Sequence, residues 1–102
     1  MKYGFVIPVY RHGATLEGVV KNLVSHGLPI IVVDDGNDEI NKQYIKSVGE
    51  KYSLVTVVTL KKNSGKGSAM NAGIEEAYKM GLTHILQIDS DGQHESSRVS
   101  SY

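Results

Sequence analysis

Two acidic segments each follow an apolar run of the sequence, and they are the first candidates for chemistry. Asp89 and Asp91 lie two residues apart after a run that ends at Ile88. Carboxylates at this spacing point the same way on an extended chain, and carboxylate oxygens suit Mg²⁺ and Mn²⁺. Gln93 would add a neutral oxygen two residues further on. The pattern predicts a divalent metal site, although Asp-Ser-Asp-Gly is also good turn chemistry.

The second acidic segment is the pair Asp34 and Asp35, which is followed by Gly36. Adjacent carboxylates point in different directions on an extended chain, so we expect the two to have different roles. An ionised carboxylate only accepts hydrogen bonds, which would suit the donors of a nucleobase or a ribose. The alternative is that the pair caps a helix and forms a turn.

A basic, glycine-rich segment and an aromatic residue also stand at the ends of apolar runs. Lys66 lies between Gly65 and Gly67, and a helix beginning there would favour a bound anion. This segment lacks the glycine spacing of a Walker loop, and a solvated basic loop is the alternative. Tyr10 follows Pro8 and could stack on a base, or simply pack at the rim of a sheet.

Four apolar, β-branched runs and three helical patterns must position these side chains. The runs are Tyr3–Val9, Ile30–Val33, Leu54–Leu60 and His84–Ile88. Continuous apolar runs of this length are typical of buried parallel strands. The alternating order β-α-β-α-β-α-β therefore predicts a three-layer, doubly wound α/β fold with a mostly parallel sheet and helices on both faces.

The three helical patterns have recognisable apolar faces and boundaries. The first should end at Gly27, before Pro29, and the second should begin with Asn37 or Asp38 as its N-cap. The third should follow Gly65. The expected apolar faces are Leu16, Val19, Val20, Leu23 and Val24 in the first helix, Tyr44, Ile45, Val48 and Tyr52 in the second, and Met70, Ile74 and Ala77 in the third.

Parallel strands bring the residues that follow them to one edge of the sheet, where open α/β sheets bind ligands. Both acidic segments, the basic loop and Tyr10 should therefore surround a common crevice. This convergence carries more weight than any one of the motifs.

Composition narrows the class of protein. The 102 residues are 40% hydrophobic and carry no net charge, so we expect one domain and no general attraction to nucleic acid. The absence of cysteine excludes disulfides and thiolate metal sites. The first apolar run is too short for a signal peptide or a membrane span, which predicts a cytoplasmic domain. We expect this domain to cover residues 1–94, and residues 95–102 to form a frayed polar tail.

Four segments together are similar to a known family. They are 5–10, 31–36, 63–73 and 88–94, with the sequences FVIPVY, IVVDDG, NSGKGSAMNAG and IDSDGQH. In order and spacing they resemble the family 2 glycosyltransferases of the Rossmann-like GT-A fold, over about residues 3–94. The Asp-x-Asp followed by Gln-His is most similar to the branch that includes dolichyl- and polyprenyl-phosphate sugar transferases.

The resemblance implies transfer of a sugar, with inversion, from a nucleoside-diphosphate sugar in the presence of magnesium or manganese. The acceptor would be a polyprenyl phosphate or a saccharide. The implied nucleotide-binding residues are Pro8, Tyr10, Asp34, Asp35, Lys66 and Asp89, and the implied metal ligands are Asp89, Asp91 and Gln93.

One departure from the family pattern concerns the catalytic base. The chain stops eleven residues after Asp91, whereas in the family this motif lies near the middle of the catalytic domain. We therefore expect a truncated chain whose general base would lie downstream of its end, and whose contact with a membrane would be peripheral, through missing segments or partners. The alternative is a non-catalytic fragment that binds nucleotide or self-associates as a homo-oligomer.

Two other classes of enzyme fit less well. A haloacid-dehalogenase-type phosphatase would use a similar Asp-x-Asp segment, but it needs a lysine and further acids downstream. A dinucleotide-binding oxidoreductase would need Gly-x-Gly-x-x-Gly after the first strand, where this chain has Pro8-Val9-Tyr10-Arg11-His12-Gly13.

Overall fold

The computed structural model describes residues 1–62, 65–90 and 98–101. Strands and helices alternate along the chain until β4, as predicted. The elements are β1 (Tyr3–Val9), α1 (Gly13–Leu23) with a 3₁₀ turn (Val24–His26), β2 (Ile30–Asp35), α2 (Glu39–Lys51), β3 (Val55–Leu60), α3 (Lys66–Lys79), β4 (His84–Gln87) and β5 (Arg98–Ser101). No helix in these ranges is both long enough and apolar enough to cross a bilayer.

The strands form one sheet in the order β3-β2-β1-β4-β5. β1 pairs in parallel with both β2 and β4, and β2 pairs in parallel with β3. The predicted α/β fold with a mostly parallel sheet is therefore confirmed. β1 and β2 are buried because helices cover both faces, which explains their nearly continuous apolar sequences.

The frayed tail expected after residue 94 is wrong for part of its length. Arg98–Ser101 form β5, which pairs antiparallel with β4. Strand pairing satisfies backbone N–H and C=O groups that β4 would otherwise present at a sheet edge. Such pairing depends on the backbone, so this polar, serine-rich segment carried no apolar pattern that predicted it. The boundary between residues 94 and 95 stays a prediction.

Alternating strand residues build two cores, one on each face of the sheet. On one face, α1 and α2 pack against the side of β1 and β2 that includes Ile7 and Val32. On the other face, α3 packs against the side that includes Val6 and Val33. From β1 the chain passes through α1 to β2 and through α2 to β3. The helix α3 then crosses the opposite face of the sheet and leads to β4, on the other side of β1. That reversal is what places helices on both faces.

Predicted helix boundaries agree with the structure at several points. Asp38 is the N-cap of α2, where its side chain accepts a hydrogen bond from the backbone N–H of Asn41. Gly27 ends the first helical segment at φ 69°. Gly73 lies where α3 approaches β1 closely, since an added Cβ would lie 2.5 Å from Cγ1 of Val6. The small residues of α3 thus set its distance from the sheet.

Candidate functional site

The strand order reverses on the two sides of β1, and the carboxyl ends of the strands at this reversal are the expected place for a ligand. β2 and β3 lie on one side of β1 and β4 lies on the other. In open α/β sheets, ligands bind outside the carboxyl ends of the strands at such a reversal. Tyr10 follows β1, and Asp89 follows β4 within two residues. The parallel register, in which Val6 lies beside Gln87, brings both ends to the same edge.

The structure places the described candidate residues at this one edge. Pro8 is partly exposed near the end of β1, and the Tyr10 side chain is 38% exposed just beyond it. Asp34 and Asp35 are the last two residues of β2, and both are buried. Two more candidates follow neighbouring elements: Asp89 is half-buried after β4, and Lys66 is the first residue of α3, described for its backbone only. Asp91 and Gln93 lie outside the described residues, and every proposed role stays a prediction.

Asp34 faces α2 and is held by a network of hydrogen bonds. Its Oδ1 accepts bonds from the Asn37 side chain at 2.7 Å and from the Asn37 backbone N–H at 3.1 Å. Its Oδ2 forms an ion pair with Lys42 at 2.9 Å. Burial alone would raise the pKa of Asp34, but the bonds from Asn37 and Lys42 outweigh it and lower that pKa below its usual value. Asp34 is thus an ionised anchor for the start of α2.

Asn37 connects this anchor to the end of β1. Its Nδ2 donates to the carbonyl of Val9 at 2.8 Å, and its Oδ1 accepts from the backbone N–H of Arg11 at 2.7 Å. Asn37 itself is 6% exposed, so these bonds are shielded from water. The sequence indicated Asn37 only as an alternative N-cap of α2. In the structure Asp38 takes that role, and Asn37 holds the segment around Tyr10.

Arg11 has an unusual backbone conformation beside the exposed tyrosine. Its φ is 71°, and it is the one residue other than glycine with positive φ among residues 1–62, 65–90 and 98–101. Its guanidinium carbon lies 4.9 Å from the centre of the Tyr10 ring, within the range of a cation–π contact. A non-glycine residue persists in this region only where its surroundings hold it there. Such strain often marks a functional position.

Asp35 lies on the other face of the sheet from Asp34. Ile31 and Val33 belong to the α3 side of the sheet, and the alternation of β2 puts Asp35 on that side. The two adjacent carboxylates therefore lie on opposite faces of the sheet, as expected, and their different roles stay a prediction. Asp34 has partners in α2 and its N-terminal approach, whereas Asp35 points toward the helix that begins at Lys66.

The end of β4 is tied to β1 and α1. The backbone N–H of Ile88 donates to the carbonyl of Val6 at 3.0 Å, which continues the parallel pairing beyond the strand. The hydroxyl of Thr15, in the first turn of α1, donates to the carbonyl of Ser90. These contacts fix the path of the chain on both sides of Asp89, the first residue of the predicted metal-binding segment.

A comparison with protein families decides the family. The model of glycosyl transferase family 2 matches residues 5–101. The chain belongs to this family. The match extends across all four parallel strands and includes β5, the strand that sequence reasoning missed.

Named relatives of this family 2 chain include a UDP-N-acetylglucosamine–dolichyl-phosphate N-acetylglucosaminyltransferase of Methanococcus voltae, which is 29% identical over 87% of the chain and 41% of the relative. A poly-beta-1,6-N-acetyl-D-glucosamine synthase of Staphylococcus aureus is 27% identical over 88% of the chain and 23% of the relative. The chain thus spans less than half the length of these relatives.

A solved structure has the same fold. A mannosyltransferase from Pyrobaculum calidifontis, in complex with GDP-Man and Mn²⁺, superposes with a TM-score of 0.76 at 18% identity, over 88% of this chain and 27% of that one. At this level of identity the similarity concerns the fold alone.

The donor atoms at the edge of this family 2 domain fit a divalent cation in type, although the described residues hold only part of the predicted set. Within residues 1–62, 65–90 and 98–101, no three His, Asp or Glu side chains cluster closely enough to hold a metal. Asp89 is the predicted ligand that the structure describes. Magnesium requires only one or two protein carboxylates when phosphate oxygens and water complete its shell. Asp89 with Asp91 would satisfy that requirement.

Sequence reasoning missed the roles of three residues that shape this edge: Thr15, Asn37 and Lys42. None of them belongs to a periodic pattern or a recognised motif. Their contacts join elements that are distant in sequence, such as the bond from Thr15 to Ser90. The short spacing from Asp34 to Asn37 was the one local signal, because Asp side chains often bond a backbone N–H a few residues later.

Proposed function

We propose that this chain is the nucleotide-sugar-binding part of a family 2 glycosyltransferase. The reaction is transfer of a sugar from a nucleoside-diphosphate sugar to an acceptor, with inversion at the anomeric carbon and assistance from a divalent metal. The observation that carries the proposal is the meeting of Tyr10, Asp35 and Asp89 at one edge, where the strand order reverses. Three chemically suited side chains from three separate strands would not share that edge by local turn chemistry.

The nucleoside would bind at the ends of β1 and β2. Tyr10 is exposed enough to stack on a base, and Pro8 lies two residues before it, near the end of β1. Asp35 would accept hydrogen bonds from the base, because an ionised carboxylate is an acceptor only. Asp34 would support this pocket through Asn37, to which it is already bonded. The diphosphate would then extend toward the start of α3, where Lys66 supplies a positive charge.

Asp89, Asp91 and Gln93 would hold magnesium or manganese beside the diphosphate. Bound there, the cation would neutralise the negative charge that develops on the departing nucleoside diphosphate. The choice of metal is supported by the Mn²⁺ in the complex of the Pyrobaculum calidifontis mannosyltransferase, which shares the fold. The protein's own part is to hold the donor in place and to present oxygen ligands from the end of β4.

We propose a polyprenyl phosphate as the acceptor, following the dolichyl-phosphate transferase of Methanococcus voltae. A phosphate acceptor is already an anion, so it does not require a base to remove a proton before it attacks. A saccharide hydroxyl is the alternative, supported by the synthase of Staphylococcus aureus. A hydroxyl acceptor would need a carboxylate base in addition to the residues described.

Binding of nucleotides tests this proposal directly. UDP, GDP and their sugars are titrated into the chain with and without Mn²⁺, and binding of one nucleotide should depend on the metal. Asp91→Ala should abolish that dependence, whereas Asp38→Asn, which removes one charge at the cap of α2, should not. Equal nucleotide affinity with and without Mn²⁺, or no binding of any nucleotide under either condition, would contradict the proposed site.

A second candidate function is nucleotide binding without transfer, because the candidate residues that the structure describes at this edge are assigned to the donor and the metal, and none of them to the acceptor. Both candidates predict metal-dependent binding, so a transfer assay must separate them. The assay follows label from a UDP-sugar or GDP-sugar into a polyprenyl phosphate. Labelled lipid supports the transferase, and donor binding without labelled lipid or donor hydrolysis supports the binding module.

A further inference from the structure

We propose that Asn37 is a positioning residue that holds Tyr10 ready to stack on the nucleobase. The inference rests on the proposed nucleotide site and adds to it a residue that touches no ligand. It also explains why a buried amide, an ion pair and a strained arginine occur together at the end of β1. The base-binding surface would thus be assembled before the nucleotide arrives.

The amide of Asn37 holds the backbone on both sides of Tyr10. Its Nδ2 donates to the carbonyl of Val9, in the residue before Tyr10, at 2.8 Å. Its Oδ1 accepts from the N–H of Arg11, in the residue after Tyr10, at 2.7 Å. One side chain therefore fixes the two peptide groups that flank the tyrosine. Rotation of that segment would break both bonds in a place where little water can replace them.

The orientation of this amide is itself determined by its partners. The carbonyl of Val9 and the carboxylate of Asp34 can only accept, so Nδ2 must face them, and the N–H of Arg11 can only donate. Lys42 holds the other oxygen of Asp34 at 2.9 Å. A chain of contacts thus runs from Lys42 through Asp34 and Asn37 to the segment that carries Tyr10. No other orientation of the amide satisfies all three partners.

The conformation of Arg11 is consistent with a segment under constraint. Its φ of 71° is unfavourable for a side chain with a Cβ, yet its N–H is bonded to Asn37 in that conformation. The guanidinium lies over the Tyr10 ring at 4.9 Å and restricts the ring. A ring that is ordered in advance loses less conformational freedom when a base stacks on it. Removal of the amide should therefore weaken nucleotide binding although the aromatic ring is unchanged.

Asn41 provides a matched control for the test. Its Oδ1 accepts from the backbone N–H of Gly13 at 2.9 Å, and its Nδ2 donates to Asp38 at 2.9 Å. It therefore ties the start of α1 to α2 with a similar set of bonds, but it does not hold Tyr10. Asn37→Ala and Asn41→Ala are compared for their affinity for UDP and GDP with Mn²⁺ and for their melting temperatures. Asn37→Ser, which keeps a short polar group, replaces the alanine variant if that one does not fold.

We expect Asn37→Ala to weaken binding of the preferred nucleotide about tenfold, within the range for loss of one stacking contact, with a smaller loss in Asn37→Ser. Asn41→Ala should change the affinity less than twofold even where it lowers the melting temperature as much. Equal losses in the two alanine variants, or wild-type affinity in Asn37→Ala and Asn37→Ser, would overturn the inference.

A measurement without ligand separates this inference from the proposed function. Hydrogen exchange of the Arg11 amide in the free protein should be faster in the Asn37 variants and unchanged in Asn41→Ala. Unchanged exchange in the Asn37 variants would refute the positioning role. If the wild-type chain binds neither nucleotide, the proposed function fails, and this inference, as a statement about nucleotide binding, fails with it whatever the exchange data show about the segment.

Discussion

The two faces of the sheet use the end of β2 in opposite ways. On the α1/α2 face, Asp34 enters a polar network with Asn37 and Lys42 and has a lowered pKa. On the α3 face, the neighbouring Asp35 ends the strand above an apolar core whose helix contributes Ala69 and Ala77. Two adjacent aspartates therefore have different surroundings although their sequence context is nearly the same.

This difference indicates that the two faces of the sheet have different roles at the candidate site. Polar groups on the α1/α2 face hold the edge of the sheet in shape, because each is bonded to another part of the chain. Small residues on the α3 face let a helix approach closely, so that its first turn reaches the same edge. We assign recognition of the base to Asp35 on this second face.

The largest expected effect separates the two aspartates by function. Asp35→Asn should weaken nucleotide binding about 10- to 100-fold, because a hydrogen bond to a charged group contributes about 1.5–3 kcal/mol. Asp34→Asn, whose side chain is bonded to Asn37 on the other face, should weaken binding less. Calorimetric titration of the two variants measures both affinities. Wild-type affinity in Asp35→Asn would remove Asp35 from the site.

The close packing of α3 should be sensitive to a single methyl group. In Gly73→Ala the new Cβ would lie 2.5 Å from Cγ1 of Val6 and 3.2 Å from Cγ2 of Val33, so the helix or the strand must move. Overpacking of this kind costs about 1–3 kcal/mol in the free energy of unfolding.

Gly67→Ala is the control in the same helix, because its added Cβ meets no atom within 4 Å. It should stabilise the protein by up to about 1 kcal/mol, since alanine restricts the unfolded chain and favours helix. Urea unfolding compares the two variants. Similar effects in both would show that the distance between α3 and the sheet is not set by Gly73.

The hydrogen bonds and ion pair of Asp34 should make the free energy of unfolding depend on pH. The pKa of folded Asp34 lies below its unfolded value of about 3.9, so between these two values the unfolded state binds more protons. The stabilisation of the folded state by ionised Asp34 is therefore complete above about pH 4, and it is lost as the pH falls through the folded-state pKa. Asp34→Asn should lower the free energy of unfolding by about 1–2 kcal/mol at pH 7. Below pH 4 the stability of this variant should fall less than that of the wild-type protein. Urea unfolding from pH 7 to pH 2 measures this, and identical pH profiles would contradict the role of the ion pair.

The smallest effect concerns the strained residue that the network holds. Arg11→Gly and Arg11→Ala both remove the guanidinium, so their difference reports on the backbone at φ 71°. The glycine variant should be the more stable by up to about 1 kcal/mol, because glycine adopts this conformation without strain, and its greater freedom when unfolded reduces the gain. Thermal or urea unfolding measures the difference. A more stable alanine variant would show that Arg11 is not strained in solution.

The sequence was sufficient to predict the architecture because β1 and β2 are buried on both faces and the other two parallel strands are also apolar in sequence. Continuous apolar runs marked the four parallel strands, and Tyr3–Val9 agrees with β1 at both ends. Apolar spacing also placed Ile45 and Val48 on the buried side of α2. β5 was missed because an antiparallel partner at the edge is specified by backbone hydrogen bonds, and Arg98–Ser101 has no apolar pattern to reveal them.

The site was only partly predictable, because its candidate ligand-binding residues stand at strand ends, whereas the residues that hold them in place make contacts between distant parts of the chain. Tyr10 and Asp89 follow strands and Asp35 is the last residue of one, so topology alone brought the three to one edge. The contacts of Asn37 and Thr15 join residues far apart in the chain, and no local spacing encodes them. Sequence patterns thus identified the groups that would meet a ligand, and the coordinates were needed to find those that hold them.

The central claim is that nucleotide and metal bind together at the carboxyl ends of the strands. Mn²⁺ is paramagnetic, so an amide spectrum recorded with UDP or GDP and trace Mn²⁺, against a Mg²⁺ reference, locates the metal. Signals of Arg11 and Ser90 should broaden, whereas those of Tyr3 and His84, about 20 Å away at the amino ends of β1 and β4, should stay sharp. Broadening that is strongest at the amino ends of β1 and β4, or that is the same without UDP or GDP, would contradict the claim.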